Sequence, residues 1–200
     1  MPAASGELRG VDGEKVAYVR YLTFSRGSSD ELRSEIQRLT AQGATGLVLD
    51  LRGNGGGLLN EAIQSASLFV EEGDVVTTES RTQGRQVYDA LGDALDPRPT
   101  VVLINRDTAS AAEILAAAIQ SYDVGTIVGE PSFGKGTFQE VIRLPAGGAL
   151  DLTIGEYLTA DDVSIARKGV QPDERGVDDP ETNPDEGLDA ALDVIAPELK

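Results

Sequence analysis

Two residues in this chain could carry covalent chemistry, and what the chain lacks defines them. Ser110 lies in Asn105-Arg106-Asp107-Thr108-Ala109-Ser110-Ala111-Ala112-Glu113, just after the apolar run Val101-Val102-Leu103-Ile104. Lys135 lies in Ser132-Phe133-Gly134-Lys135-Gly136-Thr137-Phe138-Gln139. The chain holds no histidine and no cysteine. A serine nucleophile needs a base to take its proton, and without histidine a Ser-His-Asp triad cannot form within this chain. A lysine is the available replacement, provided its surroundings keep it neutral. Ser110 follows a strand-like run and opens an alanine-rich, helix-like one. That position exposes a side chain at a strand's C-terminal edge and surrounds it with the N–H groups of a first helical turn. The N–H of Ala111 could then help hold an oxyanion. Taken alone, the segment fits better a helix merely capped by Thr108 or Ser110.

Two glycine-rich turns accompany these residues. Asp50-Leu51-Arg52-Gly53-Asn54-Gly55-Gly56-Gly57 follows a buried strand pattern. Successive glycines uncover backbone N–H groups, so such a turn can receive a carboxylate, a phosphate or an oxyanion. A tight structural turn would look the same. Gly129-Glu130-Pro131-Ser132-Phe133-Gly134-Lys135-Gly136 is nearly a phosphate-binding P-loop. It has Gly136 where that motif needs Ser or Thr, and a strand-like run follows where a helix must open. The nucleotide-binding reading is therefore weak. If Thr137 to Leu144 is a strand, Lys135, Thr137 and Gln139 share one face.

The surrounding pattern defines the frame. Lys15 to Leu22 alternates as a strand does. Ser28 and Glu31 match a capping box, with Leu32, Ile36 and Leu39 at helical spacing behind them and Gly43 as the stop. Gly46 to Leu51 and Thr100 to Ile104 are uniformly apolar, as buried parallel strands are. A second helix is predicted near Asn60 to Val70, and a third from Ser110 to Gln120. Asp74 to Pro99 is mixed and predicts a strand or two with a loop. Gly125 to Val128, Thr137 to Leu144 and Leu150 to Tyr157 predict further strands. Pro145-Ala146-Gly147-Gly148 marks a hairpin loop. Asp173 to Glu186 predicts an acidic exposed strap, with a short helix from Asp185 to Ile195 closing the chain. This order predicts one α/β domain with a mixed sheet.

Composition removes several classes. Two hundred residues at 40% hydrophobic content suit one core, and with 4% aromatics Leu, Ile, Val and Ala must build it. The net charge of −17 argues against a nucleic-acid partner and against an anionic membrane surface. Absence of Cys and His argues against zinc and haem, so no cofactor is expected. No apolar run reaches the ~20 residues of a membrane span. Met1-Pro2-Ala3-Ala4-Ser5-Gly6 has neither the basic nor the apolar stretch of a signal peptide.

Four segments in register resemble the C-terminal processing peptidases, also called tail-specific proteases. They are Leu47 to Gly57, Thr108 to Ile114, Gly129 to Gln139, and Gly169-Val170-Gln171-Pro172-Asp173, and the likeness spans about Glu14 to Asp173. The resemblance implies a mixed-sheet β-β-α spiral core like that of Clp protease and crotonase. It implies an endopeptidase cutting proteins or peptides near their C-termini through a Ser-Lys dyad. Ser110 would be the nucleophile, Lys135 the general base and Gln139 its orienting partner, with the N–H groups of Gly56 and Ala111 as the oxyanion hole. Family members usually work outside the cytoplasm, in periplasm, cell envelope or thylakoid lumen. They usually carry a PDZ domain before the strand found here at Lys15 to Leu22. The sequence is expected to be a protease core without it, residues 1–13 forming an N-terminal segment and 174–200 the strap and final helix. Such a core could be weakly active, or a silent peptide-binding scaffold. Gly53 and Gly55 stand where the family often has Asn and Pro, and Tyr157 to Asp162 lacks the family's usual Pro and Gly.

Overall fold

A computed structural model describes residues 2–144, 147–178 and 185–199. Ten strands and four helices follow one another as β1 (Ala4–Val11), β2 (Glu14–Tyr21), α1 (Ser28–Ala41), β3 (Gly46–Asp50), α2 (Leu59–Ala66), β4 (Asp74–Ser80), β5 (Gly84–Asp89), β6 (Thr100–Ile104), α3 (Ala111–Ser121), β7 (Thr126–Gly129), β8 (Thr137–Arg143), β9 (Ala149–Leu158), β10 (Glu174–Arg175) and α4 (Glu186–Ile195). One sheet has the order β1-β2-β3-β6-β7-β10, and a second the order β5-β4-β9-β8. In the first sheet β1 and β2 are antiparallel and every later pairing is parallel. The second is antiparallel throughout. This is the α/β architecture with a mixed sheet that the order of patterns predicts.

The uniformly apolar strands are explained by cover on both faces. Leu47, Leu49, Val102 and Ile104 turn toward α1, α2 and α3, where the larger core lies. Val48, Val101 and Leu103 turn the other way and meet Leu188, Ala191 and Ile195 of α4. Every residue of β3 and of β6 is buried. Helix α3 is buried from Ala111 to Ile119, and its small alanines let it lie close to the sheet. The N-terminal segment is itself ordered as strand β1, in register with β2 from Ala4↔Tyr21 to Val11↔Glu14.

The expected capping box at Ser28 does not form. The N-cap of α1 is Gly27, at φ 80°, and the Glu31 carboxylate instead accepts from Ala3 N at 2.6 Å. Glu61 of α2 caps the helix from outside, accepting Gly27 N at 2.7 Å and Ser29 N at 3.0 Å. Burial raises the pKa of the Glu61 carboxyl, but the N–H groups of Ser29 and Gly27 outweigh it and hold the pKa below its ordinary value. A tertiary carboxylate has replaced the local one.

The C-terminal helix is fixed by charge as well as packing. Asp185 caps α4, accepting Leu188 N at 2.8 Å. Its carboxylate also takes the Arg52 guanidinium, which reaches Asp178 and Asp50 as well. Arg52, working against desolvation, holds the Asp185 pKa at about 2, below its ordinary 3.8. Part of the expected acidic strap, residues 179–184, and Pro145 and Ala146 of the predicted hairpin loop lie outside the described residues. Strands β8 and β9 pair around that loop as expected.

Candidate active site

The parallel strands β3 and β6 are neighbours, so the turns leaving their C-terminal ends are neighbours too. That edge of an open α/β sheet is where ligands usually bind. The two turns are stitched together. Leu51 N donates to Leu103 O at 2.9 Å and Ala109 N to Asn54 O at 2.9 Å. Thr108 Oγ1 donates to Leu51 O at 2.9 Å, and Gly53 N to Asn105 Oδ1 at 3.0 Å. Asn54 is fully buried. Its amide donates to Tyr21 O at 2.8 Å, and its Oδ1 accepts Gly56 N at 2.9 Å.

This stitching places Gly56 directly beneath the Ser110 turn. A Cβ at Gly56 would lie 2.8 Å from Ser110 Cβ, 2.8 Å from Ala111 N and 2.7 Å from Ala109 O, and its φ is +93°. Only glycine fits there, so the predicted oxyanion pair, Gly56 and Ala111, is brought together. In this state the Gly56 N–H is occupied by Asn54 Oδ1. The Ala111 N–H belongs to the first helical turn, whose donors have no partner within the helix.

Ser110 has φ 58° and ψ −118°. These angles match the first central position of a type II′ turn, which glycine normally takes. A non-glycine residue held there costs roughly 1–3 kcal/mol and persists only when its surroundings over-determine it. The simple cap reading of the sequence does not require such strain. A sharp strand-to-helix turn bearing a half-exposed serine is the geometry of a nucleophile elbow.

The loop carrying Lys135 is bound to the same turn. Phe133 N donates to Thr108 O at 2.9 Å. Glu113, fully buried, accepts Gly134 N at 2.7 Å, Lys135 N at 2.9 Å and Ser110 N at 2.8 Å. It also accepts the Ser132 hydroxyl, and that oxygen in turn accepts Val170 N at 2.7 Å. From the far side, Arg167 N donates to Gly134 O at 2.9 Å and Tyr157 N to Gly136 O at 2.7 Å. All four sequence segments singled out above thus meet in one network.

The two candidate side chains are not joined in this structure. Lys135 is exposed, and among the described residues no hydrogen bond links its ammonium to the Ser110 hydroxyl or to Gln139. Gln139 is exposed and its amide reaches Thr153 Oγ1 at 3.5 Å. Thr137 does open a strand, but the pairing with β9 shifts register between Phe138 and Gln139. Sequence reasoning missed Glu113, Ser132 and Asn54. A usable signal for Glu113 existed, because Ser110-Ala111-Ala112-Glu113 has the spacing of a capping box.

The model of peptidase family S41 matches residues 15–175. The chain belongs to this family. Among S41 relatives, the carboxyl-terminal-processing protease of Synechocystis is 41% identical over 162 residues, which are 81% of this chain and 38% of that protein. The chloroplastic C-terminal processing peptidase of Tetradesmus obliquus is 39% identical over 172 residues, 86% of this chain and 37% of that protein. The solved photosystem II D1 C-terminal processing protease superposes with a TM-score of 0.81 at 35% identity, covering 97% of this chain and 52% of that one. The mixed-sheet α/β core expected from the resemblance to C-terminal processing peptidases is therefore the fold found. The chain spans about two fifths of the length of these curated relatives. No helix among the described residues is long and apolar enough to cross a membrane.

Proposed function

We propose that this chain is the catalytic core of a serine endopeptidase that cleaves proteins near their C-termini through Ser110 and Lys135. The observation that carries the reading is the strained Ser110 elbow, set over Gly56 and bound through Glu113 to the lysine loop. The names of the relatives support the substrate class.

The step is acyl transfer. Neutral Lys135 Nζ takes the Ser110 proton while Oγ attacks the scissile carbonyl carbon. The carbonyl oxygen becomes an oxyanion held by the N–H groups of Ala111 and Gly56, the latter shared with Asn54 Oδ1. The lysine ammonium returns the proton to the leaving amine as the C–N bond breaks. Water, deprotonated by the Lys135 amine, then attacks the ester carbonyl, and the lysine ammonium returns that proton to Ser110 Oγ as the C–O bond breaks. Gln139 orients the lysine once substrate is bound.

A lysine works as a base only when neutral, and burial is what favours that form near neutrality. Lys135 stands exposed, so the dyad closes only when substrate or another part of the protein covers it. Weak activity that rises with pH is the expected behaviour of this chain. The test is digestion of a protein with a defined C-terminus, followed by intact mass, together with labelling by a fluorophosphonate. Ser110→Ala and Lys135→Ala should each abolish cleavage, and wild-type turnover in Lys135→Ala would remove the dyad from consideration.

The open dyad supports a second reading, a silent peptide-binding core. In that case the probe labels nothing while a C-terminal peptide still binds. The family's usual workplace supports a position outside the cytoplasm. Fractionation of cells expressing the full-length protein tests this, and recovery in the cytosol would refute it.

A further inference from the structure

Glu113 is a buried carboxylate without a cation. Among the described residues it forms no salt bridge. Its partners are three main-chain N–H groups and one hydroxyl. They are distributed unevenly. Oε1 takes Ser132 Oγ and Gly134 N, whereas Oε2 takes Ser110 N at 2.8 Å and Lys135 N at 2.9 Å. The main chains of the two residues assigned to the chemistry therefore meet at a single oxygen atom. Their nitrogens cannot lie farther apart than those two bonds laid end to end.

We infer that Glu113 is a positioning residue that sets the spacing of nucleophile and base through this one oxygen. The inference rests on the Ser110–Lys135 reading above. Three features separate it from a plain structural staple. The residue belongs to the first turn of α3, so it moves with Ser110 as one rigid piece. Its bond to Ser110 N acts on the residue held at φ 58°, and so maintains the elbow itself. The Lys135 loop is also held by bonds to Arg167, Tyr157, Thr108 O, Val170 and Ile104 O, none of which touches the Ser110 residue. Glu113 is the direct link between the two.

Replacement by Gln keeps the shape and removes one acceptor oxygen. Whichever way the amide turns, its NH2 group faces two donors. The two atoms belong to one rigid planar group, so donors pushed off either one shift the other, and the Ser110–Lys135 spacing loosens in both orientations. Asp keeps the charge but retracts it by one methylene. Glu61 provides the comparison, being a buried carboxylate that also binds main-chain N–H groups, at α1 and away from Lys135.

The experiment uses the whole chain as Glu113→Gln, Glu113→Asp and Glu61→Gln beside wild type. It reads kcat and KM on a peptide substrate, the pH profile of fluorophosphonate labelling, and hydrogen exchange at the Ser110 and Lys135 amides. A misplacement of about 1 Å in a reacting pair can cost about 10²-fold. Glu113→Gln should lower kcat by about that factor with little change in KM, shift the labelling profile, and speed exchange at both amides together. Glu113→Asp, which retains the charge, should recover part of the loss. Glu61→Gln should lower Tm and leave kcat unchanged. If Ser110→Ala and Lys135→Ala abolish activity but Glu113→Gln keeps wild-type kcat and profile, the inference falls and the dyad stands. If those two variants stay active, the dyad itself is wrong and the inference goes with it. The exchange measurement decides even where turnover is too slow to follow, since unchanged protection at either amide overturns the proposal. If Glu113→Gln does not fold, Glu113→Asp carries the same measurements.

Discussion

The two sheets of the molecule are built on opposite terms. In the parallel sheet every residue of β3 and β6 is buried between helical layers. In the antiparallel sheet the last five residues of β8 and the first five of β9 are exposed on both faces. Ser110 stands on the first sheet, at the end of β6. Lys135 stands at the root of the second, two residues before β8. The elbow strain at Ser110 is tolerable because the surrounding packing leaves it no alternative. The lysine has no such enclosure, and a handful of main-chain bonds determine where it sits. One residue is positioned by a core and the other by a tether, which explains how an ordered elbow coexists with an exposed lysine.

The largest test of this contrast lies in the core. Leu103→Ala removes a fully buried side chain between the sheet and α4 and should cost about 2–5 kcal/mol. It is read as a fall in Tm with a loss of Ser110 labelling. A smaller test concerns the elbow alone. If φ 58° is imposed by the packing, Ser110→Gly should be more stable than Ser110→Ala by about 1 kcal/mol, because glycine adopts the angle freely. Equal melting of the two variants would mean that the turn is not strained.

Acid probes the charged end of the same core. The pKa of Asp185 in the folded protein is about 2, below its ordinary 3.8. Its contribution is therefore complete above the unfolded value and is lost as pH falls from near 4 toward 2. Asp185 is partly exposed, so screening limits the effect to no more than about 1 kcal/mol. The Tm difference between wild type and Asp185→Asn should be constant near neutrality and close in that acid window. The smallest change belongs to the outer hairpin. Val141 is 64% exposed, and Val141→Ala should alter stability by no more than about 0.5 kcal/mol. A loss comparable to that of Leu103→Ala would mean the hairpin carries a packed layer after all.

The parts that were legible in the sequence share a physical cause. β3 and β6 reveal themselves because burial on both faces leaves an unbroken apolar run. α3 is legible because a helix lying close to a sheet demands small residues throughout. Two glycines of the first turn are legible because main chain approaches main chain there, at Gly56 and still more closely at Gly57. The illegible parts concern polar groups choosing among partners. Ser28-Ser29-Asp30-Glu31 and Ser110-Ala111-Ala112-Glu113 have the same capping spacing, and the fold uses them in opposite ways. Glu31 is drawn off to the β1 segment and Glu61 takes over its role, whereas Glu113 bonds its own N-cap and reaches the Lys135 loop beyond. Local spacing cannot decide between these outcomes, because the competing donors lie 19 or more residues away in the chain. Whether the Ser110 and Lys135 side chains meet was likewise not readable, since the exposed lysine is placed by its loop and not by its own spacing.

Glu113 has a consequence for how such sites are traced through evolution. Three of its four partners are main-chain N–H groups, which every residue except proline provides. The side chains at two of those positions, Ser110 and Lys135, are not what Glu113 binds, and the third partner, Gly134, has none. Exchange of one partner therefore cannot be balanced by exchange of the other, as it can between two packed side chains. In an aligned set of S41 sequences, Glu113 should show little correlated substitution with the positions it binds. A contact map inferred from paired changes would pass over the bond that joins the two halves of the site.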